Sequence, residues 1–354
     1  MQHIVLGLAV LFSIVLTKMP QRNKKIVCFI PFAILWIFAA IRYGYGNDYF
    51  SYYSSYLDIN IGVYSFRKEV LFDALLRLFP SFFLFIACSS FVTIYPVSKL
   101  VNKNVATDYI PVAVFIYCFN PYLFMISLSA IRQYIAVACF VPAVYFAYKK
   151  KIIPYLLMII LAANIHNSAW TLLPIYFLAN DRKIGKRTLI VVIAVVLVFL
   201  IGGNMFKSIA EKILNLLDNK NYLSHLQKDT GSSLRSVILS SLFLIYLLIN
   251  IRKLDGWFAV CAKMYLIGTI ISVLVYHINM LGRMQYYFDV FMVVVIPAIM
   301  KRNSNERNTA FGIINKYFLP IMLFVILVAR YINFFNTPLY EPFVHYRTIL
   351  GAIN

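Results

Sequence analysis

The feature that most constrains this chain is a recurrence of apolar runs close to bilayer-spanning length, separated by short basic clusters. Runs such as Ser81–Val97, Ile131–Tyr148 and Ile313–Ile332 approach the ~20 residues a helix needs to cross the hydrocarbon. In lipid every backbone N–H and C=O must be satisfied within the chain, so such runs become helices. Composition agrees, with 62% of the 354 residues apolar and 13% charged. The pattern predicts an all-α polytopic membrane protein. It forms one integral membrane domain over residues 1–354, with about twelve transmembrane or re-entrant helices. A net charge of +20 would suggest nucleic acid in a soluble protein. Here Lys and Arg cluster between apolar runs, the signal that fixes topology, and a nucleic-acid partner is rejected.

Side assignment follows from those clusters. Lys18–Lys25, Lys99 with Lys103, Lys149–Lys151, the group from Arg182 to Arg187, Arg252 with Lys253, and Lys301 with Arg302 and Arg307 are placed in the cytoplasm. The first run, Ile4–Leu16, has no basic stretch before it and no small-residue cleavage site after it, so it is read as a membrane helix. The outer side then receives residues 42–79 (a Tyr-rich loop plus an amphipathic helix opened by Arg67, Lys68 and Glu69), a loop over 202–234 and a tail over 333–354. Asn120-Pro121 is expected to kink the run Tyr109–Ser127, and Lys263 to snorkel. Ile152–Ile165 and Asn167–Ala179 read as two short helices with His166 at their apex, or as a re-entrant hairpin. The cysteines are spaced like core residues, without CxxC, and indicate neither disulfides nor zinc.

The outer charges differ from the cytoplasmic ones because they come singly: Arg42, Asp48, Arg132, His166 and Arg283. Arg132, His166 and Arg283 each fall at the start of a helix descending from outside. A helix start carries free N–H groups and a partial positive charge, so arginine is unfavourable there unless an anion joins it. The set points to an anionic site at the outer surface; any one of these arginines alone reads as an interfacial anchor. His166 is a candidate general base or, alternatively, stabilises a tight turn with Asn164 and Asn167. Asp48 is a base or a partner for Arg42. Glu69 and Asp73, one turn apart, read as a solvated face, and Asp289 is a carboxylate inside a span. The tyrosines beside Arg42 are an aromatic belt or a sugar-stacking surface. No GxxxxGK[ST], HExxH or Asp-x-Asp occurs, so no nucleotide drive, metal or other cofactor is expected.

The chain resembles the EpsG-like, Wzy-type polysaccharide polymerases. The resemblance is carried by R-x-G-x-G-x-D-Y at Arg42–Tyr49 with Tyr52 and Tyr53, then Glu69. It continues through IRQYIA at Ile131–Ala136, IHNSAW at Ile165–Trp170, GRMQYYF at Gly282–Phe288 and the tail near Asn336–Tyr340. It implies a GT-C-like inverting glycosyltransferase of the bacterial inner membrane, working without metal on the periplasmic or outer face. Undecaprenyl-diphosphate-linked oligosaccharides are the implied donor and acceptor. A chain-length regulator and a flippase are the implied partners beside the lipid bilayer. It places Arg42, Arg132 and Arg283 on the diphosphate. Tyr45, Tyr49, Tyr52, Tyr53, Gln133 and Tyr286 go on the saccharide, and His166 or Asp48 is the base. Glu69, Asp289 and Tyr340 are left without a settled role. The rivals are an O-antigen ligase-like transferase, a lipid-linked oligosaccharide flippase and a membrane acyltransferase. A flippase would need charges around a mid-membrane cavity.

Overall fold

The computed structural model describes residues 1–19, 23–62, 69–180, 183–216, 234–278, 281–306 and 309–351. Arg67, Lys68, Arg182, Arg307 and residues 217–233 of the expected outer loop lie outside them. The chain is a helical bundle. Its elements begin with α1 (Gln2–Lys18), α2 (Lys24–Ala40), α3 (Tyr49–Asn60), α4 (Val70–Leu78) and α5 (Phe82–Asn104). There follow α6 (Ile110–Phe119), α7 (Ile131–Tyr148), α8 (Ile152–Ile165), the short α9 (Ile175–Leu178) and α10 (Lys186–Leu216). The last are α11 (Leu234–Asn250), α12 (Gly256–Leu274), α13 (Gly282–Asp289), α14 (Met292–Asn303) and α15 (Ala310–Phe335).

Among the described residues four helices, α5, α7, α12 and α15, are long and apolar enough to cross a membrane. The pair α13 and α14, bent by 52°, makes a fifth if counted as one span. α1, α6 and α8 are apolar but shorter. The all-α membrane class stands on these elements; among the described residues helix length and composition alone give four or five spans and do not by themselves establish about twelve.

Several boundaries depart from expectation for identifiable reasons. α6 ends outright at Phe119 instead of kinking. Asn120 is extended (ψ 104°), as a residue before proline tends to be, and its Oδ1 accepts from the Tyr122 N–H at 3.3 Å. The chain then winds through a 3-10 turn, Ile126–Leu128, before α7. α5 is capped by Ser81, whose hydroxyl accepts from Leu84 N–H at 3.2 Å. It runs on past Val97 and carries Lys99 and Lys103 in its last turns. α10 is continuous for 31 residues, so residues 202–216 are helix and not loop. After α8 the chain returns as a 3-10 segment (Asn167–Leu172) and α9, divided at Pro174, instead of one helix. The Tyr155 hydroxyl donates to the Leu172 carbonyl at 2.6 Å and holds this return leg against α8. Lys263 does not merely snorkel. It donates to the carbonyl and side-chain oxygens of Asn180 at 2.8 and 2.7 Å.

The C-terminal tail folds back. Arg347–Thr348 (β2) pairs antiparallel with Arg42–Tyr43 (β1), with Arg42 opposite Thr348 and Tyr43 opposite Arg347. The Tyr346 ring stacks on Phe38 at 4.1 Å. A smaller apolar core lies apart from the main one. It includes Tyr49, Tyr52, Phe72, Phe82, Phe85, Ile131 and Ile165, and it underlies the polar cluster described next.

Candidate active site

The site is organised by Glu69. This residue occupies the position before α4, but its side chain makes no cap bond to that helix. The carboxylate instead reaches the starts of two other segments. One oxygen, Oε2, accepts from Arg132 Nη1, in the first turn of α7. The other, Oε1, meets His166 Nδ1 at 3.0 Å and accepts the Asn167 backbone N–H at 3.2 Å. His166 terminates α8 in an extended conformation (φ −148°, ψ 112°), which swings its ring out of the helix and towards Glu69.

The acid sits inside and its two side-chain partners sit outside it. Side-chain exposure is 11% for Glu69, 20% for His166 and 30% for Arg132. The Arg132 guanidinium lies 5.7 Å from the ring centroids of both Tyr52 and Phe72, which form an aromatic wall. Burial by itself would push the Glu69 carboxyl up. The His166 hydrogen bond, the Arg132 charge and the Asn167 N–H outweigh it and hold the carboxyl at about 2. Glu69 and Asp73 are therefore not a solvated face; both are buried. The reading of His166 as a local turn stabiliser also gives way. The Asn164 amide donates to Ile160 O of its own helix, and Asn167 serves Glu69.

A third helix start joins this pair. Gln133, 4% exposed, donates its amide to the Arg283 carbonyl at the head of α13, so its expected place on a saccharide is taken by a helix-to-helix contact. Ser168 and Tyr287 share a 3.0 Å hydroxyl–hydroxyl bond that ties the return leg to the same helix. The Arg283 side chain is exposed and makes no hydrogen bond or ion pair among the described residues. The starts of α7, the 3-10 leg and α13 thus lie together.

Arg42 is placed differently. Gly44 (φ +61°) and Gly46 (φ +103°) turn the chain at once after β1, and a Cβ on Gly46 would lie 3.1 Å from Ser129 Cβ. The turn carries Arg42 inward to 1% exposure. Its guanidinium donates to Ala39 O, to Ser90 Oγ at 2.7 Å and to Leu128 O at 3.2 Å. Burial draws that guanidinium down to about 10. A side chain so enclosed cannot reach an anion at the membrane surface without breaking those bonds. Its expected place on the diphosphate is corrected to a place in the fold.

Asp48 is exposed and forms no ion pair with Arg42; its N–H meets Ser129 Oγ at 3.1 Å. Tyr45, Tyr49 and Tyr52 are 0%, 1% and 4% exposed, which removes them from any open saccharide path. Tyr45 packs on Phe38, Phe343 and Tyr346, and Tyr49 packs on Phe82. Tyr53 is 37% exposed. Tyr286 is half-buried and stacks with Tyr122 and Tyr134. Tyr340 stacks on Phe334 at 4.1 Å. Asp289 is buried and accepts from Gln285 at 2.6 Å. Sequence reasoning passed over Arg330, which donates to Ser240 at 2.8 Å and lies 5.0 Å from the Phe243 ring. A lone arginine in the apolar run LVARYI was the signal.

Comparison with protein families gives one match: the model described as the EpsG family aligns with residues 25–348, a stretch that contains every residue of this site. No curated protein and no solved structure matches.

Proposed function

This chain belongs to the EpsG family, and from that premise we propose that it is a membrane-embedded polysaccharide polymerase, a glycosyltransferase. Its donor is an oligosaccharide on undecaprenyl diphosphate and its acceptor a second lipid-linked repeat unit. The reaction takes place at the outer face of the bacterial inner membrane, on a GT-C-like bundle whose shorter helices complete the crossings, and needs no metal. A chain-length regulator and a flippase are its partners on this reading.

The observation that carries the proposal is the cluster of Arg132, Glu69 and His166 at the starts of two helical segments, with the head of a third, at Arg283, tied to it through Gln133. The acceptor hydroxyl oxygen attacks the anomeric carbon of the donor sugar. The bond from that carbon to the diphosphate oxygen breaks, and its electron pair leaves with the diphosphate. Arg132 and Arg283 compensate the charge that builds there, helped by the free N–H groups of the α7 start. The acceptor's proton passes to His166 Nε2, for which no hydrogen-bond partner exists among the described residues. His166 is favoured over Asp48 because its ring is oriented by a bond, whereas the Asp48 carboxylate is free in solvent. Tyr53 and Tyr286 remain as saccharide contacts.

Purified protein given synthetic lipid-linked repeat units, without nucleotide, should build a ladder of products. Failure of the wild type to elongate them, or full elongation by the Arg132→Ala/Arg283→Ala double variant, would overturn the proposal.

A further inference from the structure

Among the described residues Glu69 is the one carboxylate in contact with both Arg132 and His166, and the glycosyl transfer outlined above gives it no step of its own. We infer that Glu69 is a positioning residue: it holds His166 with the proton on Nδ1 and leaves Nε2 free to take the acceptor's proton. The inference rests on the reading of His166 as the base.

The argument runs from hydrogen-bond chemistry. An ionised carboxylate only accepts, so across the 3.0 Å contact the proton belongs to Nδ1. A neutral imidazole protonated on Nδ1 accepts on Nε2, the tautomer a base facing the substrate needs. The carboxylate cannot rotate away, because Arg132 holds one oxygen and the Asn167 N–H the other. Glu69 lies behind the ring and the guanidinium, so it acts through them and not on the sugar. Its charge also favours the imidazolium that forms as the acceptor's proton arrives. The other groups facing this cluster are Arg132 from α7, Tyr52 from α3 and, by way of Ser168, Tyr287 from α13, with Arg283 at the head of α13, Asp73 one turn along α4 and Asp48 beside Tyr52. The arginines oppose protonation of the ring and the carboxylates favour it.

The test uses full-length protein in nanodiscs with 15N-labelled histidine, the His166 signal being assigned by its loss in His166→Ala. The wild type should show the Nδ1–H tautomer. Glu69→Gln should move His166 towards the Nε2–H tautomer, because an amide can donate to Nδ1 as well as accept from it. In the elongation assay Glu69→Gln should lose about 100-fold in rate, typical of a displaced general base, with the acidic limb of the pH profile moved to lower pH because a neutral amide no longer stabilises the imidazolium. Glu69→Asp, which keeps the charge, should keep that limb near its wild-type position and recover part of the rate. The inference falls if wild-type His166 carries its proton on Nε2. It also falls if Glu69→Gln loses rate with no change in either the His166 tautomer or the pH limb, the mark of a purely structural role. The spectrum needs no turnover, so a wild type that fails to elongate lipid-linked units would sink the polymerase reading and leave this result to stand or fall by itself.

Discussion

The two ends of α7 carry two polar clusters that look alike in composition and differ in how many hydrogen bonds they leave open. At the start of the helix are Glu69, Arg132 and His166. Past its other end, where Tyr148 packs on Trp257, lie Asn250, Lys253, Asn303, Glu306 and Asn315. The helix between them rises about 27 Å. The second cluster is closed. Lys253 Nζ spends its three protons on Asn250, Asn303 and Glu306. Asn250 and Asn315 exchange amide bonds at 2.9 Å, and all three asparagines are 0–1% exposed. A π-helical turn in α15, Ile314–Phe318, presents Asn315 to this network. The first cluster is open. The Arg132 fork has five N–H donors; among the described residues it bonds Glu69 and meets the Tyr52 hydroxyl, which leaves donors over. Arg283 nearby makes none among the described residues. A network with every donor matched contributes to the fold. One with donors left over at a partly exposed position is equipped to receive an anion. The number of bonds left unmade, and not the presence of charge, separates the two roles.

The largest expected effect comes from removing the open donors. Arg132→Ala combined with Arg283→Ala should reduce elongation by about 10²–10³-fold or more, as loss of preorganised donors to a developing anion does. Detergent melting curves should show a smaller change than that loss implies, since Arg283 has no side-chain partner among the described residues. If the double variant melted early and kept its activity per folded molecule, the open cluster would be structural and the contrast would vanish.

Next in size is the closed cluster. Asn250→Leu keeps the volume but deprives Lys253, Asn303 and Asn315 of an acceptor. It should cost about 3 kcal/mol, the sum of a few unmet buried hydrogen bonds. Elongation per folded molecule should stay near wild type. A stable Asn250→Leu protein with no activity would mean that this end also takes part in the reaction.

Acid should separate the clusters again. The folded-state value of Glu69, about 2, lies below its ordinary value of 4.5. The stability it contributes is therefore complete above about pH 4.5 and is lost as the pH falls through 2. A shift of that size corresponds to roughly 3 kcal/mol at most. Melting midpoints followed from pH 5 to pH 2.5 should fall for the wild type and fall less for Glu69→Gln. Equal slopes would show that Glu69 does not hold its site together through charge.

The same contrast explains what could be read from the sequence. The bounds of α7 and α8, Ile131–Tyr148 and Ile152–Ile165, were legible because the basic run Lys149–Lys151 and the polar His166 punctuate uniform apolar segments. The helix-start positions of Arg132, His166 and Arg283 were legible because each is a lone polar group beside an apolar run. Glu69 was not, since its partners lie 63 and 97 residues away and its neighbours Lys68 and Asp73 suggest a wet face. The depth of Arg42 was not either. It depends on Ser90 and Leu128 arriving from other helices to accept its protons, and local sequence shows an arginine among tyrosines in both cases.

Tyrosine provides the smallest test. Tyr45 was expected to touch sugar, yet it is 0% exposed and its hydroxyl has no partner among the described residues. A buried hydroxyl without a bond is a cost to the folded state of about 1 kcal/mol or more. Tyr45→Phe removes only that oxygen and keeps the ring packed edge-on to Phe343 at 5.4 Å and Tyr346 at 5.0 Å. Melting should therefore rise by a few degrees or stay level, and elongation should be unchanged. Tyr53→Phe, on the 37% exposed ring, should leave melting untouched and weaken saccharide binding by a few-fold, read as a higher KM. If the two results were exchanged, with Tyr45 controlling KM and Tyr53 silent, the Tyr45 ring would have to open onto the acceptor path during turnover. The turn at Gly44 and Gly46 would then belong to the open cluster and not to the fold.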